Sequence, residues 1–516
     1  MILLLTRMPH FQSFALAISL SVFSCFLAGV AHADQDPQIA PTPSGTPTEW
    51  QPNYSSAGNR PGASTRSIGN MLREGPTGGI WQRSQLLGDP GGLRSTLGKF
   101  GTTLTIQETS EVLGNTMGGT RQDFDYDGLT TITLQVDTKR AFGHYGGLFN
   151  VSALQVHGLN LSARNLNTLQ TASGIEADDG LRLWELWYQE AFLFNQIDVK
   201  IGSQSLDQEF MVSQYAGLFV NTMFGWPMLA SADLLSGGPA YPLASLGARF
   251  RAQPSGEPWA FLVGAFDDNP GGVDPQVTPP QDPQLLNASG SSFRYTDKPL
   301  LIAEIQYSRP AIGQIEYADA EPLKPGTYKL GFWYDFGNFA DQQYGTDGLS
   351  LADPSSNQKP TILHGNYSLY TVIDQLLWRE SPESARGIGV FFRAMGAPSS
   401  QNLIDYSLNA GITLHGPFRH REYDVCGFGI GLADISPRVR ALDRDTATFT
   451  SNPTNPVRGS ETFIELTYQY QLVPWWVLQP DVQFTFNPGA GAPNPGLPTQ
   501  SMSNELVIGL RTNITL

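Results

Sequence analysis

Hydrophobic alternation with a period of two residues is the feature that most constrains the fold of this chain, and it runs from Gly101 to Leu516. In the segment from Tyr406 to Leu414, tyrosine, leucine, alanine and isoleucine alternate with serine, asparagine, glycine and threonine. Successive side chains of a β-strand point to opposite faces, so the pattern predicts strands with one apolar and one polar face. The chain contains 54 glycines, 37 prolines and 11% aromatic residues, a composition that agrees with an all-β chain that has many turns.

The alternating runs predict sixteen strands, most of them close to ten residues long. The predicted strands are 102–109, 129–138, 147–156, 182–192, 197–203, 243–251, 259–266, 300–309, 327–336, 367–378, 387–395, 404–414, 425–433, 462–471, 475–486 and 505–516.

The connections between these strands also follow a rule. Those after strands two, four, six, ten, twelve and fourteen are short, whereas those after strands one, three, five, seven, nine, thirteen and fifteen are long. The largest loops are residues 204–242 and 267–299, while the connections at 310–326 and 396–403 fit the rule poorly. An even strand number with alternating turns and loops is typical of a 16-stranded antiparallel transmembrane β-barrel. The alternatives are a secreted β-sandwich, propeller or β-helix, but no repeat of ~40 residues recurs.

The first residues predict export. An apolar run from Phe14 to Val30 ends in small residues at A-x-A spacing, which predicts a signal peptide, residues 1–33, cleaved after Ala33. A membrane anchor or a lipid attached at Cys25 is the alternative. Beyond this run, no stretch approaches the ~20 apolar residues of a membrane helix. After cleavage Cys426 is the remaining cysteine, so an internal disulfide is excluded.

The rest of the chain divides into three parts. Residues 34–78 are rich in Pro, Ser and Gly and predict a flexible leader. Residues 79–100 predict a short N-terminal helical segment made of two pieces around a turn, and residues 101–516 form the predicted barrel. The chain has 31 lysines and arginines and 47 aspartates and glutamates, so its net charge is −16. It therefore lacks the excess of basic residues that a nucleic-acid-binding protein carries.

Eight segments, taken in order, resemble the carbohydrate-selective outer-membrane porins of Gram-negative bacteria, the OprB family. They are LLGDPGGLR (86–94), NTMGG (115–119), LWELWYQEAF (183–192), GAFDDNPGG (264–272), RGIGVFFRA (386–394), ETFIELTYQYQLVPW (461–475), LQPDVQFTFNPG (478–489) and the closing IGLRTNI. The resemblance implies a sixteen-stranded barrel in the bacterial outer membrane through which monosaccharides, above all glucose, diffuse passively. Two features depart from the family: the long leader, and Leu516 where outer-membrane barrels usually end in an aromatic residue.

A sugar pore needs hydrogen-bonding groups and aromatic faces on its wall, and the polar face of each strand supplies them. On strand four the apolar set Trp184, Leu186 and Tyr188 is expected to face lipid. Glu185, Trp187 and Gln189 then face the lumen, and Trp187 is the best candidate for sugar contact unless the register slips. The same rule predicts these further lumen residues: Asp198, Lys200, Arg249, Arg251, Lys329, Asp335, Arg393, Glu465, Gln469, Asp481 and Gln483.

Asp374 is ambiguous, because strand ten is apolar on both faces, and it indicates a register break or a lumen site. DFDYDG (123–128) resembles the start of a calcium loop, but Leu134 stands where the loop needs Glu, so a turn entering a strand is the better interpretation. Neither a metal site nor a nucleophile and base pair stands out. The sequence therefore predicts no enzyme and no cofactor.

The predicted partners are small neutral sugars, outer-membrane lipid and the barrel-assembly machinery, which would recognise the last strand, NELVIGLRTNITL. Two other functions stay open. One is a general cation-preferring porin without a sugar site, and the other is an outer-membrane hydrolase or adhesin that uses the loops at 204–242 and 267–299.

Overall fold

A computed structural model describes residues 79–516, apart from 275–276, 278–279, 310–323, 382–383 and 451–454. Sixteen antiparallel strands form one closed barrel, as predicted. They are β1 (Thr102–Met117), β2 (Phe124–Asp137), β3 (Gly147–Gly158), β4 (Gly180–Phe192), β5 (Ile197–Gln204), β6 (Ser245–Ala252), β7 (Trp259–Asp267), β8 (Pro299–Arg309), β9 (Gly326–Gly345), β10 (Pro360–Arg379), β11 (Gly387–Gly396), β12 (Ile404–His415), β13 (Val425–Ile435), β14 (Ser460–Val473), β15 (Trp476–Phe486) and β18 (Glu505–Thr515). A small hairpin, β16 (Pro493–Asn494) and β17 (Leu497–Ser501), lies in the loop before β18.

The last strand closes the barrel. β18 pairs with β15 on one side and with β1 on the other, in a register that runs from Gln107 opposite Thr515 to Met117 opposite Leu506. Both edges of β18 are therefore hydrogen-bonded, and closure removes the exposed edge that a terminal strand would otherwise present.

The two ends of the barrel differ. We call the end that carries the connections after odd-numbered strands the long-loop end, and the opposite end the short-turn end. The loop after β1 is short, residues 118–123, because β1 continues well beyond its predicted end. β9 and β10 are the longest strands and extend past the predicted limits at the long-loop end. Most of the connection between β8 and β9 lies outside the described residues.

Helices occupy the connections and the segment before β1. They are α1 (Leu93–Lys99), α2 (Thr138–Phe142), α3 (Leu161–Asn165), α4 (Thr222–Gly225), α5 (Met228–Asp233), α6 (Pro283–Leu286), α7 (Pro437–Phe449) and α8 (Pro488–Gly491), with 3-10 turns at Pro90–Gly92, Leu206–Gln208, Ala216–Leu218 and Leu235–Gly237. None of the helices in the described part of the chain has the length and apolarity to cross a membrane.

The N-terminal segment contains one α-helix instead of the two predicted helical pieces. Before α1, a 3-10 turn follows Asp89, whose carboxylate accepts the backbone N–H of Arg94 at 2.8 Å. Arg94 donates to the backbone oxygen of Leu516 at 2.6 Å, and the N–H of Leu86 donates to Thr515 at 2.8 Å. The segment therefore lies against the seam between β1 and β18 at the short-turn end.

The outward face of the barrel exposes large apolar side chains to the surroundings. Examples are Val112, Phe261, Leu330, Leu369, Phe428, Leu466 and Leu510. An apolar outward face cannot be stabilised by water, so it fits contact with lipid.

One polar cluster interrupts this face on β1, β2 and β3. Ser110 donates to Glu108 at 2.8 Å, and the hydroxyl of Thr130 donates to the other carboxylate oxygen. The Tyr126 hydroxyl lies 3.2 Å from both Ser110 and the His157 ring. These hydrogen bonds compensate for a carboxylate on a surface that is otherwise apolar.

Candidate functional site

The loop between β5 and β6, residues 205–244, enters the lumen, and we call it the inserted loop. Its aromatic side chains pack on the inward face of the wall: the Phe224 ring lies 5.7 Å from Phe391 and 5.4 Å from Phe463. Further buried wall residues in this cluster are Leu262, Leu300, Ile302, Trp333, Tyr370, Val372 and Met395. Much of the inward face from β7 to β11 is therefore apolar, which explains why β10 is apolar on both faces.

Arg393 on β11 binds the backbone of the inserted loop. Its guanidinium donates to the carbonyl oxygens of Met211 at 2.8 Å, Phe224 at 3.0 Å and Gly225 at 3.0 Å, and also to that of Met223. The side chain is only 1% exposed. Arg393 faces the lumen as predicted, but its donors are used to hold the loop.

Two acidic residues of the wall bind loop N–H groups in the same way. Asp374 accepts the N–H of Gln214 at 3.1 Å and the hydroxyl of Ser213, which resolves its ambiguity in favour of the lumen face. Glu465 accepts the N–H groups of Val220 at 2.6 Å and Asn221 at 3.1 Å. The carboxylates thus satisfy loop donors that have left water.

Further predicted lumen residues surround these contacts. Glu185 accepts the N–H of Ser205 at 3.1 Å, at the start of the inserted loop. Asp481 is buried and accepts the amide of Gln483 at 2.9 Å, and Gln483 also donates to the Ala172 carbonyl at 2.8 Å. All of these residues lie on the inward face, yet they contact protein groups.

A cluster of charged residues joins the inserted loop to β5 and β6. Glu209 of the loop forms ion pairs with Lys200 and Arg249, and Arg249 also pairs with Asp198. Arg251 binds the second oxygen of Asp198 at 2.7 Å. Burial alone raises the pKa of Glu209, but the ammonium and guanidinium groups outweigh it and lower this pKa to about 2. Glu209 is therefore ionised at neutral pH.

Gln189 lies beside this cluster, since its side-chain oxygen accepts from Arg249 at 3.3 Å. Trp187 faces inward as predicted but is only 2% exposed, and the Lys200 ammonium lies 4.6 Å from its ring centroid. Because the ring is covered, it offers no free face for a sugar, and its cation–π contact instead positions Lys200.

Trp184 does not face lipid, contrary to the prediction. The pairing of β3 and β4 shifts between Ser152 and Ala153, so the alternation of β4 changes at this point. The Trp184 ring is 4% exposed and packs edge-on against Tyr241 of the inserted loop, 6.3 Å away. A β-bulge inverts the faces of every residue beyond it, and alternation alone does not reveal its position.

The part of the lumen wall that stays partly exposed is mainly uncharged. Thr131, Thr133 and Gln135 on β2 and Gln107 on β1 face inward and are partly exposed. Gln135 donates to Asn150 at 3.2 Å, which orients its amide. We call these four side chains with Thr105 the hydroxyl–amide strip. They were not among the predicted site residues, although the polar face of strand two carried the signal.

The acidic stretch DFDYDG enters β2 rather than forming a calcium loop. Asp125 accepts the amide of Asn165 at 2.8 Å and forms an ion pair with Arg164. Its carboxylate is therefore already occupied by protein donors.

Comparisons with known proteins agree with this architecture. The family model described as "Carbohydrate-selective porin, OprB family" matches residues 121–516. "Porin B" of Pseudomonas aeruginosa is 22% identical over 461 residues, which cover 83% of this chain and 90% of that relative. "Putative porin QuiX" of Acinetobacter baylyi is 24% identical over 425 residues, which cover 79% of this chain and 89% of the relative.

Among solved structures, the high-pH structure of Pseudomonas putida OprB is similar with a TM-score of 0.72 and 19% identity. The match covers 85% of this chain and 100% of that chain. At this identity the likeness supports the barrel fold.

Proposed function

The chain belongs to the OprB family of carbohydrate-selective porins, which are channels rather than enzymes, and we propose that it admits small neutral sugars of the glucose class by passive diffusion. The observation that carries this proposal is the chemistry of the exposed wall. Most of the charged inward residues form ion pairs or bind loop backbone, whereas the hydroxyl–amide strip presents groups that can donate and accept hydrogen bonds without a net charge.

Neutral sugars fit this wall for two reasons. Hydroxyl and amide groups replace the water that a sugar loses on entering the pore, at about 1 kcal/mol net for each hydrogen bond. Such weak and distributed contacts also allow the solute to leave again, as conduction requires. The sites of contact we propose are the side chains of the hydroxyl–amide strip.

We propose that the barrel lies in the bacterial outer membrane, with the long-loop end outside the cell and the short-turn end in the periplasm. The porin family implies this location, and the exposed apolar outward face fits lipid. The assembly machinery would recognise β18. Replacing Leu516 with Phe is then expected to improve assembly, measured as the folded fraction in outer-membrane extracts, whereas deleting Leu516 should reduce it.

The experiment is liposome swelling with purified protein, using glucose, a disaccharide and a singly charged sugar acid of similar size to glucose. We expect the neutral monosaccharide to enter fastest. The double substitution Thr133→Val and Gln135→Leu should lower the glucose rate about two- to fivefold, which corresponds to losing about one hydrogen bond.

The matched control is Thr512→Val, because the Thr512 side chain is on the outward face of β18. Its glucose rate should equal that of the natural protein. Equal entry rates for all three solutes, or no effect of the double substitution, would indicate a general pore without a sugar site. Absence of any permeability would contradict the channel itself.

A further inference from the structure

Three aspartates converge at the long-loop end of the barrel, outside the sugar path. Asp267 ends β7 directly opposite Pro299 at the start of β8, and this pairing brings the two ends of the loop 268–298 together. Asp268 donates its N–H to the Lys298 carbonyl at 3.0 Å. As a result, one carboxylate oxygen from each of Asp267, Asp268 and Asp297 lies within 4.8 Å of the others.

A fourth carboxylate, that of Asp335 on β9, lies beside Asp268. Asp335 is fully buried, and one of its oxygens accepts the N–H of Gly337 at 2.7 Å. Its other oxygen, like one oxygen of the 1%-exposed Asp268, has no hydrogen-bond donor. Buried carboxylate oxygens without a donor are costly, so their presence calls for a missing positive partner.

Gly337 shows how closely Asp268 and Asp335 approach. A Cβ atom at Gly337 would lie 2.7 Å from an oxygen of Asp268 and 2.8 Å from an oxygen of Asp335. Both distances are shorter than those that real Cβ atoms show, so only glycine allows the Asp268 and Asp335 side chains to meet here. The position keeps free the space that the carboxylates share.

Protein cations balance these charges only in part. Arg294 binds both carboxylate oxygens of Asp297, one of them at 2.8 Å, but Asp267, Asp268 and Asp335 form no ion pair with any residue that the structure describes. Bringing like charges together away from water is unfavourable unless a cation accompanies them.

We propose that Asp267, Asp268 and Asp297 bind a divalent cation of the calcium type, next to the carboxylate of Asp335. All of the ligand atoms are carboxylate oxygens, whereas zinc prefers sulfur and nitrogen ligands, so the site does not suit zinc. Ca²⁺ takes a variable number of protein oxygens in flexible geometry, whereas Mg²⁺ demands a near-octahedral arrangement and usually keeps several waters. A cluster of aspartate carboxylates therefore fits calcium better.

The ion would connect two loops to the wall. Next to Asp268, Asn269 accepts a hydrogen bond from Ser236 of the inserted loop at 2.6 Å, and Ser236 accepts the N–H of Gly271 at 3.2 Å. Calcium at the aspartates holds loop 268–298 on β9 and thereby supports the inserted loop.

The test is direct binding. Full-length protein in detergent is stripped with EGTA and titrated with CaCl₂ in a calorimeter. We expect one ion per chain with a dissociation constant between about 10⁻⁶ and 10⁻³ M. Asp268→Asn and Asp335→Asn should each weaken binding at least about tenfold. Asp347→Asn, an exposed aspartate of the loop between β9 and β10, should bind like the natural protein.

Thermal unfolding distinguishes a cation site from an empty acidic cluster. With EGTA, Asp335→Asn should melt at or above the natural protein, since repulsion is relieved. With calcium the order should reverse. The proposal is overturned if the natural protein takes up no calcium at millimolar concentration, if both Asn variants bind it unchanged, or if Asp335→Asn melts higher in both buffers.

Discussion

Glu209 joins the inserted loop to the barrel wall, and replacing it with Gln tests whether charge holds the loop in place. The substitution keeps the size of the side chain and removes its charge. Lys200 and Arg249 then lose their shared partner, while Asp198 continues to bind Arg249.

The size of the effect follows from the pKa of Glu209, which falls from its ordinary value of 4.5 to about 2. This fall corresponds to about 3 kcal/mol of net stabilisation of the ionised side chain in the folded protein, after the cost of burial. Because the folded pKa is depressed, this contribution is complete above pH ~4.5 and is lost as the pH falls towards 2. Glu209→Gln should therefore destabilise the folded protein by about 3 kcal/mol at pH 7 and by little at pH 2.

Two measurements check this. The first is the urea concentration at which half of the protein is unfolded, measured at pH 7 and at low pH. The second is the reversal potential of single channels in a salt gradient, which should shift towards anions because the cluster gains net positive charge. In the folded natural channel the same shift from Glu209 is expected only as the pH approaches 2, where this carboxylate becomes protonated.

Glu257→Gln is the matched control, since Glu257 is exposed in the turn between β6 and β7 and the change in net charge is the same. The reasoning is refuted if Glu209→Gln and Glu257→Gln have equal urea midpoints and equal reversal potentials at pH 7.

Three other substitutions test the remaining contacts. Arg393→Met should destabilise the protein by about 3–5 kcal/mol, because four loop carbonyls lose the hydrogen bond from its guanidinium; a urea midpoint within error of the natural one would contradict this. Trp187→Ala should cost about 3–5 kcal/mol in urea unfolding, yet glucose should block the folded channels with an affinity changed less than about twofold, since the ring is covered. Thr130→Val should cost about 1–3 kcal/mol by removing a donor to outward-facing Glu108, and adding Glu108→Leu should restore the midpoint.

Much of the barrel was predictable because alternation is a local property of strands. All sixteen strands were confirmed, including β18, whose apolar face was visible in its last residues. The extensions of β9 and β10 were not predicted, since the extended parts lie outside the regular alternation of apolar and polar residues. The same rule placed Glu185, Trp187 and Arg393 on the inward face.

Alternation could not show what covers an inward residue. Asp374, Arg393 and Glu465 have the polarity of a channel wall, but each binds the backbone of a loop that is distant in sequence. A register shift at Trp184 likewise depends on the pairing of β3 with β4, which the sequence of β4 alone does not contain.

The strands, their number and the face of most side chains could be predicted from the sequence, because these follow from neighbours one or two positions away. Tertiary structure alone decided which of those side chains stay open to the lumen, because that depends on where residues 205–244 fold. The loop packs against the inward faces of β4 to β14 and leaves the hydroxyl–amide strip of β1 and β2 partly exposed. Long-range contacts of this kind leave no periodic pattern in the sequence. The inward faces of the strands could therefore be predicted, whereas the open path through the lumen could not.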